Sequence, residues 1–389
     1  MPDHIPIKMH LILITRVNTG NPVLVGVTKK IHGQVEALRE LGNTSDLMYI
    51  QGSDVVVEAV DGRRTISRLR HAWSRFLFYH FGLFRFLRSG RPYDGLLIRH
   101  FRMDPLFLFQ LWRFKTFSHP GCKIVLEVPT YPYDREGHDQ TWLDRIESDV
   151  DHWTLTWLAN IVFSRVLTYS RYDRIWGVST IQTDNGISVT GIAPPPPRAL
   201  DRVFRMIAIT SVEPWQGLDR IIRGMARAPQ GIPGGLSIEL HIVGNGAALK
   251  DLQELVSELA LGQSVIFHGP SSGLALDDLL TKAHVGVGSL GRHRTGNEGG
   301  QTTTLKAREY ALRGLPFFQS MVDHDFGTDY RYCLRVPSHE DAIDLSDVVK
   351  WYLDLARDTP DFATWMYHDA VKRLSWTRKL KPVHDFLHA

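Results

Sequence analysis

The sequence predicts an α/β protein made of two doubly wound halves, and three observations lead there. The chain opens with a strand, a glycine-bearing loop and a helix; prolines 194–197 interrupt it near the middle; and a second strand–helix alternation follows them. The length agrees, because 389 residues make room for about two domains. With 43% hydrophobic and 22% charged residues the composition is globular, which excludes a disordered or collagen-like chain.

Residues 10–15, His-Leu-Ile-Leu-Ile-Thr, form a short apolar run that reads as the first strand. Gly20, Pro22 and Gly26 mark the loop after it. Ile31, Val35, Leu38 and Leu41, at helical spacing, mark a helix ended by Gly42. Strands follow at 47–50, 95–99, 122–128 and 166–169, with helix-length segments between them. The four prolines fit neither a helix nor a central strand and favour a stiff extended linker. Residues 1–196 are therefore expected as one domain and 197–360 as another. In the second, strands are expected at 205–210, 237–243, 264–268, 284–289 and 315–319, and helices at 218–228, 247–261, 275–283 and 304–313. Residues 341–355 and 361–387 read as helical and rich in Trp and Phe, and 361–389 is expected to pack back on the first domain. Open α/β sheets bind ligands beyond the carboxyl ends of their strands. Two such halves facing each other would make a cleft, and the residues just after strands are the candidates.

Cys122 and Cys333 are far apart and fit no metal spacing, so a reduced, cytoplasmic setting is expected. Residues 1–6 show no basic stretch running into an apolar one, and no apolar run reaches the roughly 20 residues of a spanning helix. The 45 Lys+Arg and 42 Asp+Glu give a net charge of +3, but the charge is uneven. Between Arg63 and Arg91 lie eight arginines and no acid, so the rest of the chain sums to −5. This window interleaves its arginines with Trp73, Phe76, Phe78, Tyr79, Phe81, Phe84 and Phe86. Leu69, Trp73, Phe76 and His80 recur at helical spacing, with Leu77, Phe81, Phe84 and Arg88 beside them. Such a helix suits an anionic membrane surface, with Arg68, Arg70, Trp73 and Arg75 as its contacts. The same ingredients serve single-stranded RNA binding, or a core helix whose arginines are merely solvated. No nucleic-acid partner is expected.

The most informative stretch is 296–316, which begins Gly-Asn-Glu-Gly-Gly-Gln-Thr-Thr-Thr-Leu-Lys. It follows a strand, loops through Gly296, Gly299 and Gly300, and enters a helix with Thr303 or Thr304 as N-cap. Free N–H groups and the positive helix end make such a turn an anion site. Lys306, in the first helical turn, opposes the helix dipole by about 0.3–1 kcal/mol unless an anion lies nearby. Glu309, four residues after Leu305 and three before Leu312, should face inward, where two adjacent sugar hydroxyls would satisfy it. The alternative is a helical i,i+4 pair with Arg313. Gly244-Asn-Gly246 is a weak dinucleotide signal, because Leu249 stands where the third glycine belongs and no acid ends the next strand.

Lys306-x-x-Glu309-Tyr310-x-x-x-Gly314-x-Pro316 resembles the corresponding helix of retaining nucleotide-sugar glycosyltransferases of family 4, which have the GT-B fold. Residues 26–34, Gly-Val-Thr-Lys-Lys-Ile-His-Gly-Gln, are similar to that family's donor-side loop and first helix. Residues 127–134, Glu-Val-Pro-Thr-Tyr-Pro-Tyr-Asp, resemble a segment of its capsule and exopolysaccharide branch. Residues 215–220, Trp-Gln-Gly-Leu-Asp-Arg, and 184–187, Asp-Asn-Gly-Ile, resemble two further segments of that branch. The resemblance covers nearly the whole chain in order. It implies GT-B: two Rossmann-like domains facing across a cleft, with the C-terminal helix crossing back to the first. It implies transfer, with retention, from a nucleotide-diphosphate sugar to a saccharide, often lipid-linked, in surface polysaccharide synthesis at the inner face of the cell membrane. Neither metal nor cofactor is implied, and Asp323-x-Asp325 is too loosely placed to claim as a metal site.

On the donor side the resemblance points to Gly26, Trp215, Gly217, Arg220, Gly244, His268, Gly299, Gly300, Thr303, Thr304, Leu305 and Glu309. On the acceptor side it points to Arg99, Glu127, Thr130 and Tyr131, and for the chemistry to Glu309, Lys306, Glu298 and His100. The family's first acid would fall at position 301, which is Gln301 here, leaving Glu298 as its substitute. Gln216 stands where many members carry a basic residue, so Arg220, Arg292 or Arg294 is left to charge the diphosphate site. These two glutamines also motivate a rival reading, an inactive glycosyltransferase-like accessory subunit.

Overall fold

The computed structural model describes residues 8–21, 24–132, 142–196, 198–228, 232–295 and 304–389. The chain forms two compact units, Met1–Ser188 with Trp376–Ala389, and Val189–Ser375. The proline segment thus goes with the second unit, and only residues 376–389 of the expected 361–389 extension belong to the first.

Unit one contains β1 (His10–Asn18), α1 (Val25–Glu40), β2 (Thr44–Gln51), β3 (Asp54–Ala59) and β4 (Gly62–Arg68). Then come α2 (Ala72–Leu77), a π turn (Phe78–Gly82), α3 (Leu83–Arg88), β5 (Gly95–Arg99), α4 (Pro105–Arg113), a second π turn (Phe114–Ser118) and β6 (Lys123–Val128). Last are α5 (Trp142–Val162), β7 (Arg165–Thr168), β8 (Arg174–Ile175) and β9 (Val178–Gln182). The nine strands lie in the order β4-β3-β2-β1-β5-β6-β7-β9-β8. From β2 to β9 neighbours are parallel, and β3, β4 and β8 pair antiparallel. Leu11, Ile12, Leu13 and Ile14 of β1 are all buried, as a central parallel strand covered on both faces requires.

The β3–β4 hairpin corrects the reading of the basic window as one helix. Arg63, Arg64 and Arg68 lie on β4, registered against Glu58, Val57 and Asp54 of β3. Arg68 is held by Asp54, with Nε–Oδ1 2.6 Å. The hairpin was legible in Val55-Val56-Val57 followed by Asp61-Gly62, and the density of arginines and aromatics obscured it. The helix begins only at Ala72, and much of its apolar face is core: Phe78, Tyr79, His80, Leu83, Phe84 and Leu87 are buried.

Unit two contains β10 (Val203–Ile209), α6 (Leu218–Arg227), β11 (Ser237–Val243), α7 (Leu249–Glu258), β12 (Val265–Gly269), α8 (Leu274–Lys282) and β13 (Val285–Val287). It continues with α9 (Leu305–Leu312), β14 (Phe317–Gln319), β15 (Cys333–Arg335), α10 (Leu345–Asp358) and α11 (Phe362–Leu374). Its sheet is parallel throughout, ordered β12-β11-β10-β13-β14-β15. The order reverses between β10 and β13, the crevice where doubly wound sheets hold ligands.

The final helix, α12 (Trp376–His388), completes unit one. Trp376 wedges between Gly33 of α1 and Gly186, so closely that a Cβ on either glycine would come within 2.5 Å or 2.7 Å of the indole. At the other end, Lys123 Nζ donates to the Phe386 and Leu387 carbonyls, 3.0 Å each, neutralising the negative end of the helix.

Candidate active site

In unit two the residues that matter converge on the β10–β13 crevice. Tyr310 of α9 spans it: the hydroxyl accepts from Ile209 N–H at 3.1 Å and faces the carbonyls of Ile207 and Val287 at 3.2 and 3.1 Å. Its ring lies over Gly286, where a Cβ would come within 2.6 Å. Helix α9 is thereby pinned with its first turn over the strand ends. Thr304 is the N-cap residue but makes no capping bond, and its buried Oγ1 has no partner among the described residues. Its N–H donates to Asp323 at 3.4 Å.

Lys306 reaches back from this turn to Gln216 Oε1 at 2.5 Å and Thr210 Oγ1 at 3.5 Å. No carboxylate pairs with it among the described residues. Burial, reinforced by the Arg292 charge, pushes the amine down to about 7. Arg292 is half-buried, and although its carbonyl accepts from Thr295 Oγ1 at 2.8 Å, its guanidinium has no hydrogen-bond partner among the described residues. Two basic groups that no carboxylate pairs among the described residues, beside an uncapped helix start, are the arrangement that attracts an anion. Gln216 has a definite task here, because its Oε1 accepts from both Lys306 and Ser289, the latter at 2.9 Å. A basic residue in its place would set a second cation against Lys306.

Glu309 does not face the core. The buried side of α9 is Ala307, Arg308, Tyr310, Ala311 and Leu312, whereas Leu305, Lys306, Glu309 and Arg313 share a half-exposed flank. Glu309 pairs with Arg313, the i,i+4 alternative, and Arg313 also holds Asp277 at 2.8 Å. Gly217 has φ +67°, and a Cβ there would lie 2.7 Å from the Gly291 nitrogen, so the turn before α6 and the turn after β13 meet backbone to backbone. Trp215 lies in that turn, half-buried, its carbonyl accepting from Gly291 N–H at 3.2 Å. Gly244 has φ +144°, and a Cβ there would overlap the Thr210 carbonyl. That packing, rather than a dinucleotide, accounts for the glycines of 244–246.

Three expected donor contacts are committed elsewhere. Arg220 is buried and donates to the carbonyls of Asp341, Leu290 and Pro337 at 2.8, 2.5 and 3.0 Å. Arg294 is held by Asp219, at 2.9 and 3.0 Å, and by Glu340. His268 is exposed on the edge strand β12, bonded to His241 at 2.9 Å. Of the three arginines considered for the diphosphate, Arg292 alone keeps its guanidinium available among the described residues. Glu298, Gly299, Gly300, Gln301 and Thr303 lie outside the described residues.

Sequence reasoning missed Arg308. It is fully buried and clamped by Asp323 and Asp325, so those two acids serve a cation within the protein. An arginine set between Ala307 and Ala311 was the available signal. Among the described residues no group of three or more His, Cys, Asp or Glu is placed to hold a metal ion.

Unit one has its own polar cluster at the strand ends. Glu127, buried at the end of β6, accepts from Tyr169 at 2.7 Å, Gln34 at 2.9 Å and Arg99 at 3.2 Å, and lies 3.4 Å from Lys30. Burial pushes its carboxyl up, but Arg99, Lys30 and the two neutral donors outweigh this and hold it at about 2. Lys30, desolvated on α1, is lowered despite Glu127; it donates to Asn185 at 3.0 Å and sits 3.6 Å over the Tyr169 ring. Lys30, Gln34 and Tyr169 were not singled out from the sequence, because only the fold gathers them on Glu127 and spacing does not show it. His100 directs Nε2 at the fully buried Asp151, 3.1 Å away. Thr130 is exposed and Tyr131 half-buried against Trp176. Gly26 lies exposed in the first turn of α1, so it belongs to unit one.

No protein-family model and no curated protein matches the sequence. Solved structures do match. Sucrose-phosphate synthase from Thermosynechococcus elongatus superposes with TM-score 0.61 at 16% identity, covering 98% of this chain and 96% of that one. The catalytic domain of starch synthase IV from Arabidopsis thaliana, bound to ADP and acarbose, gives 0.64 at 10%, covering 98% and 99%. A lipopolysaccharide outer core galactosyltransferase gives 0.52 at 13%, covering 98% and 100%. The likeness shows the fold: two Rossmann-like domains of the GT-B type.

Proposed function

We propose that this GT-B chain is a glycosyltransferase that takes a sugar from a nucleotide-diphosphate donor to a saccharide acceptor. One observation carries the reading: Lys306, without a carboxylate partner among the described residues, stands in the first turn of the uncapped helix α9 at the reversal point of the sheet, with the Arg292 charge acting on it. Glycosyl transfer breaks the bond between the anomeric carbon and a phosphate oxygen, and negative charge grows on the leaving diphosphate. Preorganised N–H groups and cations stabilise that charge more in the transition state than in the ground state. In this reading the Lys306 amine, which contacts Gln216 and Thr210, meets that charge as it develops.

In this reading Glu309 exchanges one Arg313 contact for the donor's sugar hydroxyls. The Glu127 cluster and His100 lie on the acceptor side, with Asp151 orienting the imidazole. Retention of configuration, a lipid-linked acceptor, a role in surface polysaccharide and residence on the inner face of the membrane are parts of the proposal that rest on the motif resemblance.

The test is slow donor hydrolysis across UDP-, GDP-, ADP- and dTDP-sugars. One donor should be hydrolysed, and Lys306→Ala should lower that rate by about 10²–10³-fold with an unchanged melting temperature. A chain that binds a nucleoside diphosphate but hydrolyses none of the donors is the accessory subunit instead.

A further inference from the structure

Unit one exposes an apolar face that its core does not use. Along α5, Leu143, Ile146, Val150, Trp153, Trp157 and Ile161 follow one another at three- and four-residue steps, each between 39% and 64% exposed. A helix of 21 residues carries this stripe over about 30 Å. The opposite side of the same helix, with Thr154, Leu155 and Ala159, is the buried one. Helix α4 packs against both α5 and the first π turn and exposes Leu106 and Phe109, and the 72–88 helix beside it exposes Trp73, Leu77 and Phe81. Exposed apolar surface spread over three neighbouring helices exceeds the scattered residues normal on a monomer and marks an interaction site.

The charges around it select the partner. Asp144 and Glu147, the acids at one edge of the stripe, are both held by Arg102, at 3.0 and 2.7 Å; Asp149 stands at the other. Arg75, Arg85, Arg113 and Arg145 are exposed and have no acidic partner among the described residues, and Arg70, also exposed, makes no ion-pair contact although its charge acts on Asp54. Tryptophan-rich apolar residues beside available arginines are what a headgroup layer accepts: indoles sit at the acyl boundary and guanidinium groups on phosphates. A second copy of the chain fits less well, because a two-fold interface would bring this arginine rim against itself.

We infer that α5, α4 and the 72–88 helix together form the face by which the protein lies on an anionic bilayer, with Trp153 and Trp157 inserted. This moves the centre of the expected membrane contact from Arg68, which is tied to Asp54, to α5. The inference draws on the proposed function only for the use of such a position, delivery of a lipid-linked acceptor.

The experiment is flotation of the full chain with vesicles of phosphatidylcholine alone, or of phosphatidylcholine and phosphatidylglycerol in similar amounts, at low and high salt. The protein should float with the mixed vesicles at low salt. Trp153→Glu with Trp157→Glu, and separately Arg70→Glu with Arg75→Glu, should each reduce the bound fraction at least about tenfold with melting temperature and donor hydrolysis unchanged. Absence of flotation, or flotation that both double variants leave intact, overturns the inference. So does a concentration-dependent dimer in sedimentation equilibrium that the tryptophan variant abolishes, which would make a second copy the occupant. Loss of flotation in these variants beside intact hydrolysis, or flotation beside no hydrolysis of any donor, separates this inference from the proposed function.

Discussion

Lys306 is a desolvated amine that no carboxylate pairs among the described residues, and two pH effects follow. With its pKa lowered from 10.5 to about 7, the native state holds fewer protons than the unfolded chain between those values. Its contribution to stability therefore rises with pH across that window. A bound diphosphate favours the protonated amine, so binding above about pH 7 takes up a proton and weakens as pH rises further. Calorimetric titration with UDP or ADP at pH 8, in buffers of differing ionisation enthalpy, should show that uptake, and Lys306→Met should remove it. Arg308 presents the opposite case, a cation whose partners Asp323 and Asp325 are built in. Arg308→Met strands a buried carboxylate and should cost about 3–5 kcal/mol, read by urea denaturation, whereas simultaneous Asp323→Asn should recover part of that loss.

At the scale of elements, the turns before α6 and after β13 are set by backbone contact as much as by side chains. Gly217→Ala must place a Cβ against Leu290 and Gly291 at a positive φ, a strain of about 1–3 kcal/mol. The expected outcome is a lower melting temperature together with weaker nucleotide binding, because the turn carries Gln216 toward Lys306; unchanged binding would mean that Gln216 does not set the lysine. For α9 the element was legible and its rotation was not. Residues 304–313 were expected to be helical and α9 is Leu305–Leu312, yet the apolar stripe drawn through Leu305, Glu309 and Leu312 misplaced the buried side. Two alanines and a tyrosine face the sheet instead, since close packing on β10 and β13 needs small side chains and one long ring. Spacing cannot distinguish Ala307 and Ala311 as core positions from two neutral helix formers.

At the scale of the molecule, α12 ties the end of the chain into the first unit through Trp376, Thr377 and Lys379, which contact Gly33, Glu40 and Thr183. Trp376→Ala should cost about 3–5 kcal/mol, and hydrogen exchange should show lost protection in α1 and β1 but not in the β10–β15 sheet. The sequence by itself determined the two α/β halves, nearly all the parallel strands and the helix whose first turn carries Lys306, because continuous apolar runs, glycines and helix starts are local signals. Only the tertiary structure decided that Arg220 and Arg294 are spent on carbonyls and acids, that Glu127 gathers Lys30, Gln34, Arg99 and Tyr169, and that part of the arginine window is a β-strand. It also decided that α5 leaves Trp153 and Trp157 exposed along an apolar stripe. Each of these depends on residues distant in the chain competing for the same donors or for the same buried surface, and no local pattern records which of them wins.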